Sequence, residues 1–293
     1  MHESVRVCFH GSAREERKIQ AQEIAARITS GVIYPLFYPM ESIPEEVKTV
    51  IAVGGDGTIR SVTEELMKGD EQRNLLVVGG GSQNGFWRSL KSEGVVLIEE
   101  EINNFNFDSL PDFHPGSIRS AHNEDQYIFN HTAEFGNPLI RFTEINEGLR
   151  TSKIPRTMRL FVTIAKLLIE RRQDDLRINQ HVDVFATGHN MGSMKIFSNQ
   201  SLYDDFLTRV SIQNEKRAEL LRKFLIISAH LITKKTPPEE IFKVRQKKQF
   251  YLANEDARYK VVGLGGDIFP LPQSGNIFIS RSEKSIKAAA IIP

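Results

Sequence analysis

The chain has 293 residues, of which 40% are hydrophobic and 26% charged, the usual balance of a soluble globular protein. Its formal net charge of +1 gives no overall field that favours nucleic acid, and no apolar run approaches the roughly 20 residues of a membrane span. The single cysteine, Cys8, excludes an internal disulfide, and its apolar neighbours predict a buried thiol. A cytoplasmic protein of one or two domains is expected.

The first hundred residues alternate short apolar runs with helical patterns. Strands are predicted at residues 5–9, 47–53, 74–78 and 94–100. Helices are predicted at residues 12–28, 58–68 and 85–92, the first with Ile19, Ala21, Ala25 and Ile28 on its apolar face. This alternation is typical of α/β proteins in which helices cover both faces of a parallel sheet.

Short strand-like runs close together replace this alternation after about residue 102. They lie at residues 105–110, 116–122, 126–135, 182–188, 194–199, 208–212, 246–253 and 276–282. Two helical patterns, at 155–172 and 215–235, interrupt them. We therefore predict an α/β nucleotide-binding domain at 1–118, with 281–293 packing back on it, and a β-sandwich domain at 119–280 that binds substrate. The cleft between them is the expected ligand site.

Three glycines and one carboxylate stand where the strand at 47–53 meets the next helix. Gly54, Gly55 and Gly57 would let an anion approach the backbone, and the following helix would direct its N-terminus at the same point. Asp56 is unfavourable beside a phosphate unless a metal ion or a proton transfer involves it, and phosphoryl transfer needs both. The alternative is a tight turn in which Asp56 caps the helix.

A second glycine-rich turn follows the next strand, from Gly79 to Arg88. Two such turns at neighbouring strand ends favour one phosphate site over two coincidental turns. Neither turn has the Gly-Lys-Ser/Thr of a Walker loop or the dinucleotide-binding glycine pattern. The eight histidines show no metal-ligand spacing, so ordinary hydrogen-bonded or solvated histidines are expected.

The motifs together resemble the diacylglycerol kinase catalytic domain family, which includes bacterial lipid kinases and sphingosine kinases and is distantly related to NAD kinases. The motif "GGDGT" at 54–58 is followed by "GSQNGFWR" at 81–88, which is similar to the family's Gly-Thr-x-Asn-Asp-Phe-Ala-Arg. Later segments at 129–136, 198–212 and 263–272 resemble further family segments in the same order. The resemblance covers nearly the whole chain.

The resemblance implies an ATP-binding domain, a lipid-binding β-sandwich and catalysis in the cleft between them. It places the ATP phosphates on Gly54, Gly55, Gly57 and Thr58, with Asp56 organising Mg²⁺. It places the nucleotide beside Gly81, Ser82 and Asn84. Asp204 and Asp205 resemble a structural Mg²⁺ site, for which a surface turn without metal is an equal alternative because hard cations need more oxygen ligands.

Two acidic positions of the family are glycines here. Gly85 replaces the acid after the Asn, and Gly265 replaces the Asp that resembles the family's general base, which leaves Asp267 as the catalytic candidate. The predicted function is ATP- and Mg²⁺-dependent phosphorylation of a lipid hydroxyl. The alternatives are a pseudo-kinase that binds nucleotide or lipid without transfer, and an NAD kinase-like activity. Expected partners are a nucleotide, a lipid or lipid-like substrate and a transiently contacted membrane surface, but no nucleic acid; the oligomeric state is left open.

Overall fold

The computed structural model describes residues 5–10, 15–27, 32–36, 42–80, 84–120, 123–136, 144–145, 148–149, 154, 158–159, 162–163, 165–166, 181–188, 190–191, 194–195, 201–213, 219, 222–223, 225–227, 229–230, 241–254, 259–272 and 275–292. Its helices are α1 (Glu15–Arg27), α2 (Asp56–Leu66) and α3 (Gly85–Ser92), with 3₁₀ turns at Glu99–Asn104 and Phe107–Ser109. Its strands are β1 (Val5–His10), β2 (Val32–Leu36), β3 (Thr49–Gly54), β4 (Asn74–Gly79), β5 (Val96–Ile98), β6 (Asp112–Phe113), β7 (Gly116–Ser120), β8 (Asn123–Phe129), β9 (Thr132–Phe135), β10 (His181–Ala186), β11 (Asn190–Met191), β12 (Met194–Lys195), β13 (Leu207–Gln213), β14 (Lys243–Lys247), β15 (Gln249–Ala253), β16 (Val261–Leu264), β17 (Asp267–Pro270), β18 (Asn276–Arg281) and β19 (Ile286–Ile292).

The N-terminal sheet has the order β2-β1-β3-β4-β19-β5, and its neighbouring strands run parallel. The short β6 pairs antiparallel with β19 at one end. Every residue of β3 is buried, because one hydrophobic cluster covers each face of this sheet. Apolar runs that are buried on both sides are what a parallel sheet requires, which is why they lack the alternation of a half-exposed strand.

Antiparallel strands build the rest of the described chain. One sheet has the order β14-β13-β10-β9-β16-β17 and another the order β15-β18-β7-β8, while β11 and β12 form a separate pair. The two larger sheets pack face to face on one cluster, to which Phe135 and Phe185 come from the first sheet and Phe129 and Phe250 from the second. The predicted fold class, a parallel α/β part followed by an antiparallel β-sandwich, is confirmed.

The chain leaves the N-terminal sheet after β6 and enters the sandwich with β7. It returns at β19, whose Ala288, Ala289 and Ala290 are fully buried between β4 and β5. Small side chains at the middle of the sheet leave room for α3 and the neighbouring apolar residues to pack closely on it.

Several local predictions were wrong. Residues 105–110 do not form a strand, because the Asn106 side chain accepts a hydrogen bond from the Asp108 N–H and closes a 3₁₀ turn there. The single strand predicted at 126–135 is two strands, β8 and β9, separated by Asn130 and His131. Ala21 of the predicted face of α1 is buried, but Ile19 is 48% exposed and Ile24, which was not predicted, is buried in its place. The helices predicted at 155–172 and 215–235 fall mostly outside the described residues.

Candidate functional site

The turn from β3 into α2 is tight, and the first residues of α2 pack back against the end of β3. Gly55 is the N-cap, with the extended backbone angles φ −91° and ψ −178°. A Cβ atom on Gly54 would lie 2.6 Å from Thr58 Oγ1, so glycine is needed there for the threonine to fold back over the strand end. The N–H groups of Asp56, Gly57 and Thr58 precede the first intrahelical bond, from Ile59 N to Gly55 O, and present the positive end of the helix dipole.

The Asp56 carboxylate joins the two glycine-rich turns. Its Oδ2 accepts a hydrogen bond from the Gly85 N–H at 3.0 Å, and its Oδ1 accepts one from the Phe86 N–H at 3.1 Å. The capping alternative is therefore wrong for α2, because Asp56 is the first residue of that helix and satisfies the first turn of α3 instead. Each oxygen accepts one bond, which leaves further lone pairs for a cation or a donor.

The second turn reaches α3 through Asn84, which has left-handed backbone angles of φ 50° and ψ 43°. The Asn84 amide lies beside Gly79, since a Cβ atom on that glycine would be 3.1 Å from Asn84 Nδ2 and 3.0 Å from the Trp87 ring. Gly81 and Ser82 lie outside the described residues. Gly55, Gly80 and Asn84 are half-buried, so solvent reaches part of the described backbone at the carboxyl ends of β3 and β4.

The turn between β16 and β17 of the sandwich packs against the start of α2. Gly265 and Gly266, between β16 and β17, have φ +62° and +98°, values that favour glycine. A Cβ atom on Gly265 would lie 3.0 Å from both the carbonyl carbon of Asp56 and the amide nitrogen of Gly57. The turn therefore fits against α2 only without a side chain at position 265.

Asp267 follows this turn and lies beside the first turn of α2. Its Oδ2 is 3.1 Å from the position of a Cβ atom on Gly57 and 3.4 Å from an Arg60 guanidinium nitrogen. The Asp267 side chain is 58% exposed, so its carboxylate is accessible to solvent. The structure thus brings the two predicted catalytic residues, Asp56 and Asp267, to the N-terminus of one helix.

Arg60 is a site residue that the sequence motifs did not indicate. Its buried guanidinium donates to Glu64 Oε1 at 2.7 Å, contacts Asp267, and lies 4.3 Å from the centre of the Phe269 ring. Burial raises the pKa of Glu64, and the positive charge of Arg60 opposes that rise. The only signal in the sequence is the spacing, because Arg60 follows Asp56 by four residues and therefore lies on the same face of the helix.

Asp204 and Asp205 lie at the other end of α3. Asp204 Oδ2 accepts from the Ser201 N–H at 2.8 Å, and Asp205 Oδ2 is 3.1 Å from Lys248 Nζ. The same loop is fixed to Glu93, just beyond the last residue of α3, whereas Asp56 bonds its first residues. A helix of eight residues is about 12 Å long, so Asp56 and this pair form separate sites.

Positive charge, rather than a cluster of ligands, surrounds the Asp204–Asp205 pair. Burial lowers the pKa of Arg281 to about 10, and the two aspartates partly counteract that effect. The Arg281 guanidinium donates to the carbonyl oxygens of His114, Thr187 and Leu202. No group of three or more acidic, histidine or cysteine side chains in the described part of the chain is arranged to hold a metal. A structural Mg²⁺ at Asp204 and Asp205 stays a prediction.

The sandwich also contacts both helices through the turn between β8 and β9. His131, which is 6% exposed, packs its imidazole against Gly85, and a Cβ atom on that glycine would overlap the ring. The neighbouring Asn130 donates from Nδ2 to Thr63 Oγ1 of α2 at 2.7 Å. Neither contact is visible in the sequence, because both depend on how the sandwich packs against the N-terminal α/β part.

No helix within the described ranges is long and apolar enough to cross a bilayer.

Comparisons with known proteins agree with this architecture. Residues 15–107 match the diacylglycerol kinase catalytic domain family. A solved candidate diacylglycerol kinase from Bacillus anthracis strain Sterne superposes with a TM-score of 0.59 at 12% identity, covering 98% of this chain and 97% of that one. A diacylglycerol kinase from the same strain gives a TM-score of 0.54 at 12% identity, covering 97% and 96% of the two chains. No curated protein matches the sequence.

These likenesses show the fold of this chain. The matched segment contains both α2 and the glycine-rich turns, and the solved structures share the fold over nearly the whole chain. The resemblance to the diacylglycerol kinase catalytic domain is therefore confirmed.

Proposed function

We propose that the protein phosphorylates the hydroxyl of a lipid or lipid-like substrate, with ATP as donor and Mg²⁺ as cofactor. The observation that carries this proposal is that two carboxylate residues, Asp56 as the first residue of α2 and Asp267 packed beside Gly57, lie at the N-terminal turn of that helix. A helix N-terminus favours phosphate, while carboxylates beside it suit a metal ion and a proton acceptor. The match of residues 15–107 to a kinase domain supports this reading.

The nucleotide would lie on the partly exposed backbone at the carboxyl ends of β3 and β4. The half-buried Gly55, Gly80 and Asn84 offer that surface, and the first-turn amides of α2 offer donors for phosphate. The Asp56 carboxylate fits a divalent cation, since its oxygens keep lone pairs beyond the two backbone bonds. Mg²⁺ would supply charge stabilisation for the phosphoryl group being transferred.

Asp267 would act as the general base that accepts the proton of the attacking hydroxyl. Its carboxylate is more than half exposed, as a group that must reach a substrate has to be. The nearby guanidinium of Arg60, at 3.4 Å, limits where the side chain can point. A β-strand start next to a tight glycine turn holds the backbone of Asp267 in place.

A transfer assay tests the proposal. Purified protein would be incubated with γ-labelled ATP, Mg²⁺ and vesicles that contain diacylglycerol or related lipids, with NAD as a non-lipid acceptor. We expect a labelled lipid and a loss of roughly 10²–10⁴ in rate for Asp267→Asn, with ATP affinity unchanged. Asp112→Asn is the matched control, because its carboxylate is similarly exposed, at 54%, and lies outside the site. Equal rates for wild type and Asp267→Asn contradict the base role.

A second candidate is a protein that binds nucleotide or lipid without transfer. The packing of Gly265 favours it, because the backbone of Asp56 and Gly57 occupies the space that a side chain at 265 would need. ATP binding by calorimetry without transfer to any lipid would support this candidate. Labelled NAD without labelled lipid would instead support the NAD kinase-like alternative.

The proposal places the protein in the cytoplasm with transient contact at a membrane surface, since a lipid hydroxyl has to be reached at the surface of a bilayer. Co-sedimentation with lipid vesicles measures that contact directly. Protein that stays in the supernatant with vesicles containing its substrate would contradict this part of the proposal.

A further inference from the structure

The His131 imidazole occupies the place where a side chain at position 85 would begin. A Cβ atom on Gly85 would overlap ring atoms Cδ2 and Nε2 and lie 3.0 Å from Cε1. The ring belongs to the turn between β8 and β9, whereas Gly85 begins α3, so the contact joins the two parts of the molecule. Because His131 is 6% exposed, solvent does not compete for this space.

Gly85 is hydrogen-bonded to Asp56. Its N–H donates to Asp56 Oδ2 at 3.0 Å, and the next N–H, of Phe86, donates to Oδ1 at 3.1 Å. The position of the Asp56 carboxylate therefore depends on the first turn of α3. The His131 imidazole packs against that turn at Gly85. A displacement of α3 away from the sandwich would lengthen both hydrogen bonds.

The turn that carries His131 is itself anchored. Asn130 Nδ2 donates to Thr63 Oγ1 of α2 at 2.7 Å, and the Thr187 hydroxyl donates to the Asn130 carbonyl oxygen at 2.6 Å. The same turn thus touches the two helices that follow the glycine-rich turns. Because these two hydrogen bonds fix the turn, the His131 imidazole can hold the first turn of α3 in place.

We propose that His131 is a positioning residue for the magnesium nucleotide site. Its imidazole fills the volume left by Gly85, holds the first turn of α3 and so sets the orientation of Asp56 towards the metal ion. This inference rests on the proposed function, because it assumes that Asp56 serves a magnesium nucleotide. Partners behind a metal ligand typically change metal affinity by about 10–100-fold when they are removed.

The test compares two variants that weaken the same junction differently. His131→Ala removes the contact with Gly85. Thr63→Val keeps that contact and, at similar volume, removes the Asn130 hydrogen bond together with the hydroxyl's own bond to the Ile59 carbonyl oxygen. ATP would be titrated by calorimetry with and without Mg²⁺, and the melting temperature of each protein recorded. We expect both variants to have a lower melting temperature than the wild type. Only His131→Ala should lose about tenfold or more of the Mg²⁺ enhancement of ATP affinity.

The outcomes separate the two hypotheses. A wild type whose ATP affinity gains nothing from Mg²⁺ contradicts the proposed function and this inference with it. A Mg²⁺ enhancement that is the same in wild type and His131→Ala contradicts this inference alone, because His131 would then contribute only to packing. If His131→Ala does not fold, His131→Asn keeps a planar polar group and undergoes the same comparison with Thr63→Val.

Discussion

The carboxylate of Asp56 accepts the backbone N–H of Phe86, a residue 30 positions later in the chain. Together with the bond from Gly85, this contact ties the helix that follows β3 to the helix that follows β4. One side chain thereby fixes the spacing of two helix N-termini, both of which lie at the carboxyl ends of β3 and β4. The Asp56 carboxylate therefore stabilises the arrangement of α2 and α3 even without a bound ligand.

Asp56→Asn should lower stability without ligand by about 1–3 kcal/mol, because an amide keeps only one of the two oxygens that accept these backbone bonds. The Asn NH₂ group would face an N–H group that needs an acceptor. Urea unfolding measures the change. Asp70→Asn is the control, since its fully exposed side chain has only a long ion pair at 3.7 Å, and its midpoint should stay at the wild-type value. A wild-type midpoint for Asp56→Asn would mean that these two bonds contribute nothing.

Gly85→Ala should destabilise the protein by about 1–3 kcal/mol, because the new methyl group would overlap the buried His131 ring. Combining it with His131→Ala removes the overlap, so the double variant should be more stable than the sum of the two single changes predicts. A double-mutant cycle of unfolding free energies checks this coupling. Additive effects would show that the two side chains do not share this space.

Arg209→Met should cost about 3–5 kcal/mol, because it leaves the charge of Asp183 buried in the sandwich. Asp183 is fully buried and accepts from Arg209 at 2.8 and 2.9 Å, from Ser211 and from the Tyr259 hydroxyl at 3.1 Å. Lys248→Met breaks an exposed ion pair with Asp205 and should change stability by less than about 1 kcal/mol. Thermal unfolding of both variants measures these changes. Similar losses of stability in the two variants would contradict the prediction.

Cys8 should react with a thiol reagent only when the protein unfolds. Burial raises the pKa of the Cys8 thiol from 9.0 to about 12, so little thiolate exists in the folded protein near pH 8. The folded state binds this proton more tightly than the unfolded state does. The resulting stability is complete below about pH 9 and is lost as the pH rises towards 12. Labelling rates across a urea gradient should follow unfolding, and rapid labelling without urea would contradict the buried position.

Sequence patterns predicted the parts of the fold that depend on local order. The bounds of α3 were predicted at residues 85–92, where a glycine-rich turn precedes an apolar periodic segment and Gly94 follows it closely. The strand predicted at 105–110 failed because apolar residues alternate there by chance, while the Asn106 side chain closes a turn. Local composition does not distinguish these two cases.

The candidate site was predicted in part. Asp56 and Asp267 stood out through motifs, but the partners of Asp56 lie about 30 residues away and those of Asp267 more than 200. His131 and Arg60 belong to the site only because the second sheet packs against α2 and α3. Contacts made by packing between distant segments leave no periodic pattern in the sequence, so these two residues required the structure.

The position of β19 has a consequence for how the molecule is made. β19 lies between β4 and β5, so one edge of β4 stays unpaired and β5 lacks its parallel partner until residues 286–292 have been synthesised. The N-terminal sheet therefore cannot be completed during synthesis before the sandwich has been made. The strand edges that β19 will cover stay exposed while nearly 200 residues after β5 are synthesised. Such distant pairing favours slow folding and gives chaperones a long interval in which to act. Both halves of the protein should therefore acquire their final structure together rather than one after the other.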